Sequence, residues 1–403
     1  MEKTIKDLDI YISDGNYSSK YPRSEEFVDD GIPFIRGNNM VDGDITDDEM
    51  YHITPEKHAV LLKGHVKAGD VLITTRGNIG QVAIVPDRHE DSNINAQIVL
   101  LRTNPESLYN RYLLWALQSQ RANEQYLALQ TGTALKQLPV GKLEKLSIKV
   151  ADINKQHEIA DVLDKSYGVI KARRNELKLL DELIKARFVE LFGNPFDTTM
   201  WNVKGLKDVS ESMIDGSNVN PDYYESEGDV LFLRIQNVWR NEFRLDDSVY
   251  ISQEINSEQY HDTSLKTGDL LITKIGRYYT KDSSLGRVSV YRGKDDGANY
   301  SNNIMRVRLL SFMNSEFVNA LLNLDDYQSF IKRTSKGGTD KRALSKSLIG
   351  SYPIIVPPKE LQDGFADFIK QVDKSKVVVQ DALDEAQILF ESLMQKYFGE
   401  KNG

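Results

Sequence analysis

The 403-residue chain contains no cysteine, so neither a disulfide framework nor a Cys-based metal site is open to it, and a reducing compartment is expected. No apolar run approaches the roughly 18 residues that a membrane span needs. The opening MEKTIKDLDI lacks the apolar core of a signal peptide. These absences lead us to expect a cytoplasmic protein with no membrane contact. No GxxxxGK[ST] loop occurs, which removes the P-loop route to ATP. His52, His58 and His65 show no metal-ligand spacing and are expected to be ordinary surface or hydrogen-bonded side chains. DGDITDDE, from Asp42 to Glu49, does not match an EF-hand loop and reads as an exposed acidic turn. No nucleophile–base constellation stands out. The expectation is therefore no catalytic residue, no metal site and no cofactor of the chain's own. Positive charge is also lacking: the formal net charge is −9, which argues against indiscriminate nucleic-acid binding.

One long helical stretch is present twice. It reads QHEIADVLDKSYGVIKARRNELKLLDELIKARFVELFG from Gln156 to Gly193, and QDGFADFIKQVDKSKVVVQDALDEAQILFESLMQKYFG from Gln362 to Gly399. The offset between the copies is the same at both ends. In the first copy Leu163, Ile170, Leu177, Ile184 and Leu191 recur every seventh residue. In the second, Ile369, Leu383 and Phe390 occupy that row together with Lys376 and Tyr397, and Val372, Val379 and Leu393 belong to the row beside it. A heptad pattern of this length marks a long helix with a coiled-coil seam. Each copy closes on an aromatic residue followed by Gly, which predicts a left-handed cap. Asn194-Pro195 then stops the first helix firmly.

The segments before the helices repeat as well. Residues 1–150 read as one α/β domain. Ile32–Met40, Asp70–Thr75, Gln81–Val85 and Ile98–Leu101 have strand composition between Gly-bearing turns, and Leu108–Leu129 has helical periodicity. In residues 200–357, Val230–Val238 aligns with Ile32–Met40, placing Phe232 on Phe34, Arg234 on Arg36 and Asn237 on Asn39. KTGDLLITKIG from Lys266 aligns with KAGDVLITTRG from Lys67, and KGGTDKR (336–342) falls where QTGTALK (130–136) falls. The expected division is a globule over 1–150, a spacer helix over 151–195, a second globule over 196–357 and a second helix over 358–403. Connectivity then requires the helices to be antiparallel. Roughly 32 residues at about 1.5 Å each give a rod of about 48 Å, with two α/β (α+β) globules related by an approximate two-fold axis.

This order of elements, the LFG and YFG helix ends, the paired GD-[VL]-LIT strands and the G-T loops before each helix resemble the specificity subunit of type I restriction–modification systems. The likeness covers essentially the whole chain. It implies two target-recognition domains that read the halves of a bipartite double-stranded DNA site. It also implies a helical scaffold for two methyltransferase subunits, through which restriction subunits join. S-adenosylmethionine, ATP and magnesium would belong to those partners. Asn194-Pro195-Phe196 has some likeness to the Asn-Pro-Pro-Tyr motif of amino-methyltransferases, but lacks the second Pro and any Gly-rich loop upstream, and a helix stop accounts for it.

Reading DNA needs donors and acceptors on loops, with cations for phosphates. The candidates in the first globule are Ser18, Ser19, Lys20, Arg76, Asn78, Thr131, Thr133 and Lys136. Those in the second are Lys274, Arg277, Tyr278, Tyr279, Lys281, Lys336, Thr339, Lys341 and Arg342. IGRYYTKDSSLG is longer than its counterpart RGNIG, and an insertion in an otherwise repeated plan is where a different specificity would be placed. The Gly-Gly pair after Lys336 suggests close approach of backbone to DNA. Arg36, Asn39, Arg234 and Asn237 suit either DNA contact or holding the fold. Two other readings stay open at this point: a protein-only coiled-coil scaffold, and a nuclease or methyltransferase whose centre has no familiar motif.

Overall fold

The structure is a computed structural model that describes residues 1–15, 18–132, 136–197 and 199–399. It divides into two units, Met1–Arg174 with Asp381–Gly403, and Asn175–Gln380. This differs from the four-part division expected above. The long helices, Ile153–Phe192 and Lys359–Phe398, are each shared between the units, because each half-helix supplies side chains to one unit's core. Ile159, Ala160, Leu163 and Phe398 join the core of the first unit. Phe188, Phe192, Phe365 and Ile369 join that of the second.

Each unit is a mixed α/β body built on the same four-stranded antiparallel sheet, with a second, mixed sheet of four strands in the first unit and three in the second. In the first, Ile10–Asp14, Ile98–Thr103, Val71–Thr74 and Val82–Ile84 form an antiparallel sheet in that order. In the second, Ser210–Asp215, Ile304–Leu309, Leu270–Thr273 and Val288–Val290 do the same. The central strands are buried end to end, VLIT and LLIT alike, as a strand covered on both faces requires. The second sheet pairs Asn93–Ile94 in parallel with Ile32–Ile35, and Ala298–Tyr300 in parallel with Val230–Leu233. Two-stranded ribbons join the entry and exit of each unit: Glu2–Thr4 with Ser147–Lys149, and Asn202–Gly205 with Pro353–Val356.

Local chemistry shortens several expected elements. The strand beginning at Ile32 stops at Ile35, because Asn39 Oδ1 accepts the Arg36 N–H (3.0 Å) and folds the next residues into a turn. Asn237 does the same to Arg234 (2.9 Å). Arg36 also donates to Glu49 O (2.6 Å) and lies 3.4 Å from the Tyr51 ring centre. Of the two roles suggested for this quartet, these contacts describe the one that holds the fold. The helix expected over 108–129 is two, Asn110–Gln118 and Gln120–Leu129, broken at Ser119, whose hydroxyl caps Ala122 N (3.2 Å). Ser315–Asn323 and Asp325–Thr334 repeat that break.

The expected left-handed caps occur once. Gly193 has φ +73°, whereas Gly399 donates to Gln395 O (2.8 Å) without a positive φ. Every expected seam residue is buried or half-buried: Leu163, Ile170, Ile369, Val372, Val379 and Leu383 fully, and Leu177, Ile184, Leu191, Phe390 and Leu393 in part. In the first unit Tyr167 meets Phe390 with ring centres 5.4 Å apart. In the second Asp181 pairs with Lys376 (2.6 Å), while Phe188 meets Phe365 at 5.4 Å. The two helical segments of that unit therefore run antiparallel. Among the described residues no helix is long and apolar enough to cross a membrane.

Candidate nucleic-acid interface

Both units build their polar loops on the same threonine. In the first, Thr74 ends the central strand. Its hydroxyl accepts from Gln81 N (3.0 Å) and donates to Asn78 O, while its carbonyl accepts from Gly80 N (3.0 Å). This ties off the short loop RGNIG. Arg76 and Asn78 then line a cleft of about 430 Å³ together with Arg36, Asn38, Asn95 and Gln97. Bridges from Arg76 to Gln137 and from Gln137 to Thr131 bring Thr131 and the exposed Lys136 beside it. Thr133 lies outside the described residues. Ser18, Ser19 and Lys20 form an exposed turn in which Ser18 Oγ accepts Lys20 N (3.2 Å).

In the second unit Thr273 makes the same tie: its hydroxyl accepts from Arg287 N (2.9 Å) and donates to Ser284 O, and its carbonyl accepts from Gly286 N (3.0 Å). The longer insertion between these anchors forms a strand, Ile275–Arg277. It pairs with Lys341–Ala343, which in turn pairs with Lys336–Gly337. The result is a three-stranded ribbon that gathers most of the predicted residues. Arg342 lies 4.0 Å from the Tyr278 ring centre, and Tyr278 N donates to Asp340 O (2.7 Å). Tyr279 meets Tyr278 edge-on at 5.1 Å and is 70% exposed. Arg277, Lys281, Lys336, Thr339 and Lys341 are exposed.

The ribbon gives Gly337 a reason that the sequence did not. At φ +146°, a Cβ there would meet Lys341 O at 2.6 Å, whereas one at Gly338 would meet open space. The close approach is to the ribbon's own middle strand. Lys274 differs from the other predicted cations: it pairs with Asp215 (2.7 Å) and its side chain is only 17% exposed. Arg277 stands 3.7 Å from Asp340 but remains 74% exposed, and a pair so solvated holds its cation weakly. Sequence reasoning missed Asn38, Asn95 and Gln97. The run SNINAQ (92–97), polar and next to a strand, was the available signal.

The arrangement offers groups of the kind that recognition of a nucleic acid uses. The ribbon presents exposed guanidinium and ammonium groups, which suit phosphate oxygens, and an exposed tyrosine, which suits stacking. The cleft is lined by the Arg76 side chain, by Arg36, whose guanidinium is engaged with Glu49 O and Tyr51, and by amide side chains, which carry donor and acceptor together as base edges do. At the opposite end of each central strand, just before Val71 and Leu270, lies a buried carboxylate gripping an arginine. Asp70 accepts two bonds from Arg102 (2.7 Å each), and Asp269 accepts two from Arg308 (2.8 and 2.7 Å). Each bond pair holds its guanidinium pKa above the ordinary value.

A family model described as the type I restriction modification DNA specificity domain matches residues 5–179 and 199–384. Over 162 residues the chain is 27% identical to the type I restriction enzyme EcoBI specificity subunit of Escherichia coli, a match spanning 37% of this chain and 34% of that relative. The fold is similar to the crystal structure of a type I restriction–modification S subunit from M. genitalium, with TM-score 0.56 and 14% identity over 100% of this chain and 96% of the other. It is also similar to a chain from a structure on complex assembly and conformational transition of the type I R-M system. There the TM-score is 0.54 and the identity 16%, over 98% and 97% of the two chains.

Proposed function

We propose a function that starts from the family: the chain belongs to the type I restriction–modification DNA specificity family. In this reading it is a non-catalytic subunit that reads a bipartite, asymmetric DNA site. The first unit takes one half-site with the Arg76 cleft, and the second takes the other with the Arg342 ribbon. The observation that carries the reading is the pair of threonine ties. One frame, repeated, presents two unlike sets of cationic and amide groups at the same place. Two readers of one fold with different loops suit two different short sequences.

The heptad rows would set the gap as an antiparallel coiled coil, with the units in approximate two-fold relation. Half-sites about 34–36 Å apart, one DNA turn, need readers at a fixed separation. The outward faces of the same helices carry exposed apolar side chains, among them Leu179, Leu183, Val377, Val378, Ile388 and Leu389. They suit docking of two methyltransferase subunits, with restriction subunits joining through these. The methyl donor, ATP and magnesium would be used by the partners. With a net charge of −9, the partners would also supply many of the phosphate contacts.

The test is a domain exchange in the partner-loaded complex. Residues 200–357 are replaced by the equivalent segment of a family member with another target, and methylated sites are mapped. One half-site should change, with the other half and the gap unchanged. Unaltered recognition would defeat the assignment. Incubating the chain alone with DNA, Mg²⁺ and labelled methyl donor should give neither cutting nor methylation, and either activity would favour a hidden catalytic centre instead.

A further inference from the structure

Within the first unit the fold brings His58, His65 and Asp91 together. One ligand atom from each lies within 4.8 Å of the others. His58 Nε2 stands 3.5 Å, and His65 Nδ1 3.7 Å, from the Asp91 carboxylate. The other ring nitrogens are committed. His65 Nε2 bonds the Leu61 carbonyl, which can only accept, so the proton of a neutral His65 sits on Nε2 and the Nδ1 lone pair faces Asp91. His58 Nδ1 meets the side-chain amide of Asn93, whose Nδ2 has no other partner, and this contact turns His58 Nε2 toward the same point. Two imidazole nitrogens and a carboxylate oxygen thus converge on one point. Two imidazole nitrogens and one carboxylate at this spacing form a set that a single cation can bridge. Second-partner bonds that fix the tautomer in this way are a regular feature of metal-bound histidine.

The duplication supplies an internal control. Asn256 and Ser264 hold the places of His58 and His65 in the second unit. His58 and Asn256 sit four residues into equivalent turns, donating backbone N–H to Thr54 O and Ser252 O. Val66 and Leu265, the next residues after His65 and Ser264, pair with equivalent strands at Ser92 O and Ala298 O. There the network is neutral and closed: Asn256 Nδ2 bonds Ser264 Oγ (3.0 Å), and Asn299 Nδ2 bonds Asn256 Oδ1 (2.8 Å). The scaffold therefore does not need histidines at this place. The first unit has two, with a carboxylate on a turn held at positive φ (+60° at Asp91).

We propose that His58, His65 and Asp91 bind one divalent cation of the borderline class, zinc above all, through two nitrogens and one oxygen. The donor set suits zinc, cobalt and nickel and disfavours calcium and magnesium. Three protein ligands leave a further coordination position for water. The ion would fasten the Pro55–Val60 helix to the Asp91 turn, just before Asn93–Ile94 and the cleft residue Asn95.

The experiment uses the full chain, stripped with chelator and titrated with Zn²⁺ by calorimetry, with Co²⁺ absorption as a second readout. One ion per chain is expected, with a rise in melting temperature. Asp91→Asn, an exposed position (71% for the side chain), should weaken binding at least tenfold. The double variant His58→Asn/His65→Ser, which carries the second unit's residues, should abolish it while the chain still folds. His261→Ala, a histidine with its side chain 75% exposed, should bind as the parent does. Failure of the parent to bind Zn²⁺ more tightly than the double variant would overturn the proposal and mean that a proton fills the gap. Undiminished binding in Asp91→Asn would overturn it equally.

Discussion

Asp70 holds Arg102, and Asp269 holds Arg308, through the same two hydrogen bonds. Gln156 and Gln362, both fully buried, each accept one backbone N–H at the start of a helix, from Tyr109 and Asn314 (2.8 and 2.9 Å). Thr74 and Thr273 tie equivalent strand ends. Against this agreement stand places where the halves part, chief among them the five-residue loop set against the strand-forming insertion, and the histidine pair set against Asn256 and Ser264. Much of the frame repeats down to single hydrogen bonds, while the largest differences fall in loops and one polar cluster. Buried polar groups are costly to leave unpaired, so a duplicated fold keeps them. Exposed loops carry no such cost and are free to diverge.

The sharpest way to break this comparison is to remove the shared carboxylates. Asp70→Asn and Asp269→Asn each leave a partly buried arginine without its counter-charge. Each should lower stability by about 3 kcal/mol, read by urea unfolding with hydrogen exchange reporting on each half. The costs should agree to within about 1 kcal/mol. If one proves neutral, the halves are alike in outline but not in what holds them.

The next effect separates the halves. Arg342→Ala should weaken DNA binding by the partner-loaded complex by about 1–3 kcal/mol, if its guanidinium reads a base, and relax only one half-site. Arg76→Ala should do the same for the other. Lys341→Ala removes an exposed ammonium on the same ribbon strand as Arg342, and if that group meets phosphate it should weaken binding to all sequences alike and lower the salt slope by about 1. Binding isotherms against a panel of half-site variants at several salt concentrations give both quantities. Relaxation of the same half-site by Arg76→Ala and Arg342→Ala would contradict one reader per unit.

How far the sequence showed this in advance depended on what repeats. The frame was legible because a buried strand such as VLIT or LLIT, and a heptad row such as Leu163–Ile170–Leu177, leave periodic marks. The ribbon was half legible: KGGTDKR and RYYTK drew notice as basic loops, but nothing local said that Arg277 would pair opposite Lys341. Strand pairing across such a separation is a tertiary property. The early ends of the strands at Ile35 and Leu233 were missed because one asparagine side chain, Asn39 or Asn237, overrides strand propensity from three residues away. The His58–His65–Asp91 cluster was invisible for a related reason: its carboxylate comes from another element, and ligand spacing along the chain does not register it.

The smallest expected effect lies in the break between the paired helices, where the halves solve one problem differently. At Ser119 the hydroxyl accepts from Ala122 N (3.2 Å) and donates to Ala116 O (2.7 Å), so one side chain serves the end of one helix and the start of the next. At Leu324 no side chain caps the following helix. There Gln328 reaches back instead, donating to Leu322 O (2.8 Å) and to Gly286 O (3.0 Å). Ser119→Ala should therefore cost about 1 kcal/mol, the usual value of an N-cap. Gln328→Leu should cost a similar amount, because it leaves two buried carbonyls short of a donor. Thermal unfolding of the two variants, alone and combined, measures both, and the double variant should show the sum, since the two sites share no partner. A Ser119→Ala variant as stable as the parent would mean that Ser119 breaks the helix by backbone geometry alone, as Leu324 does.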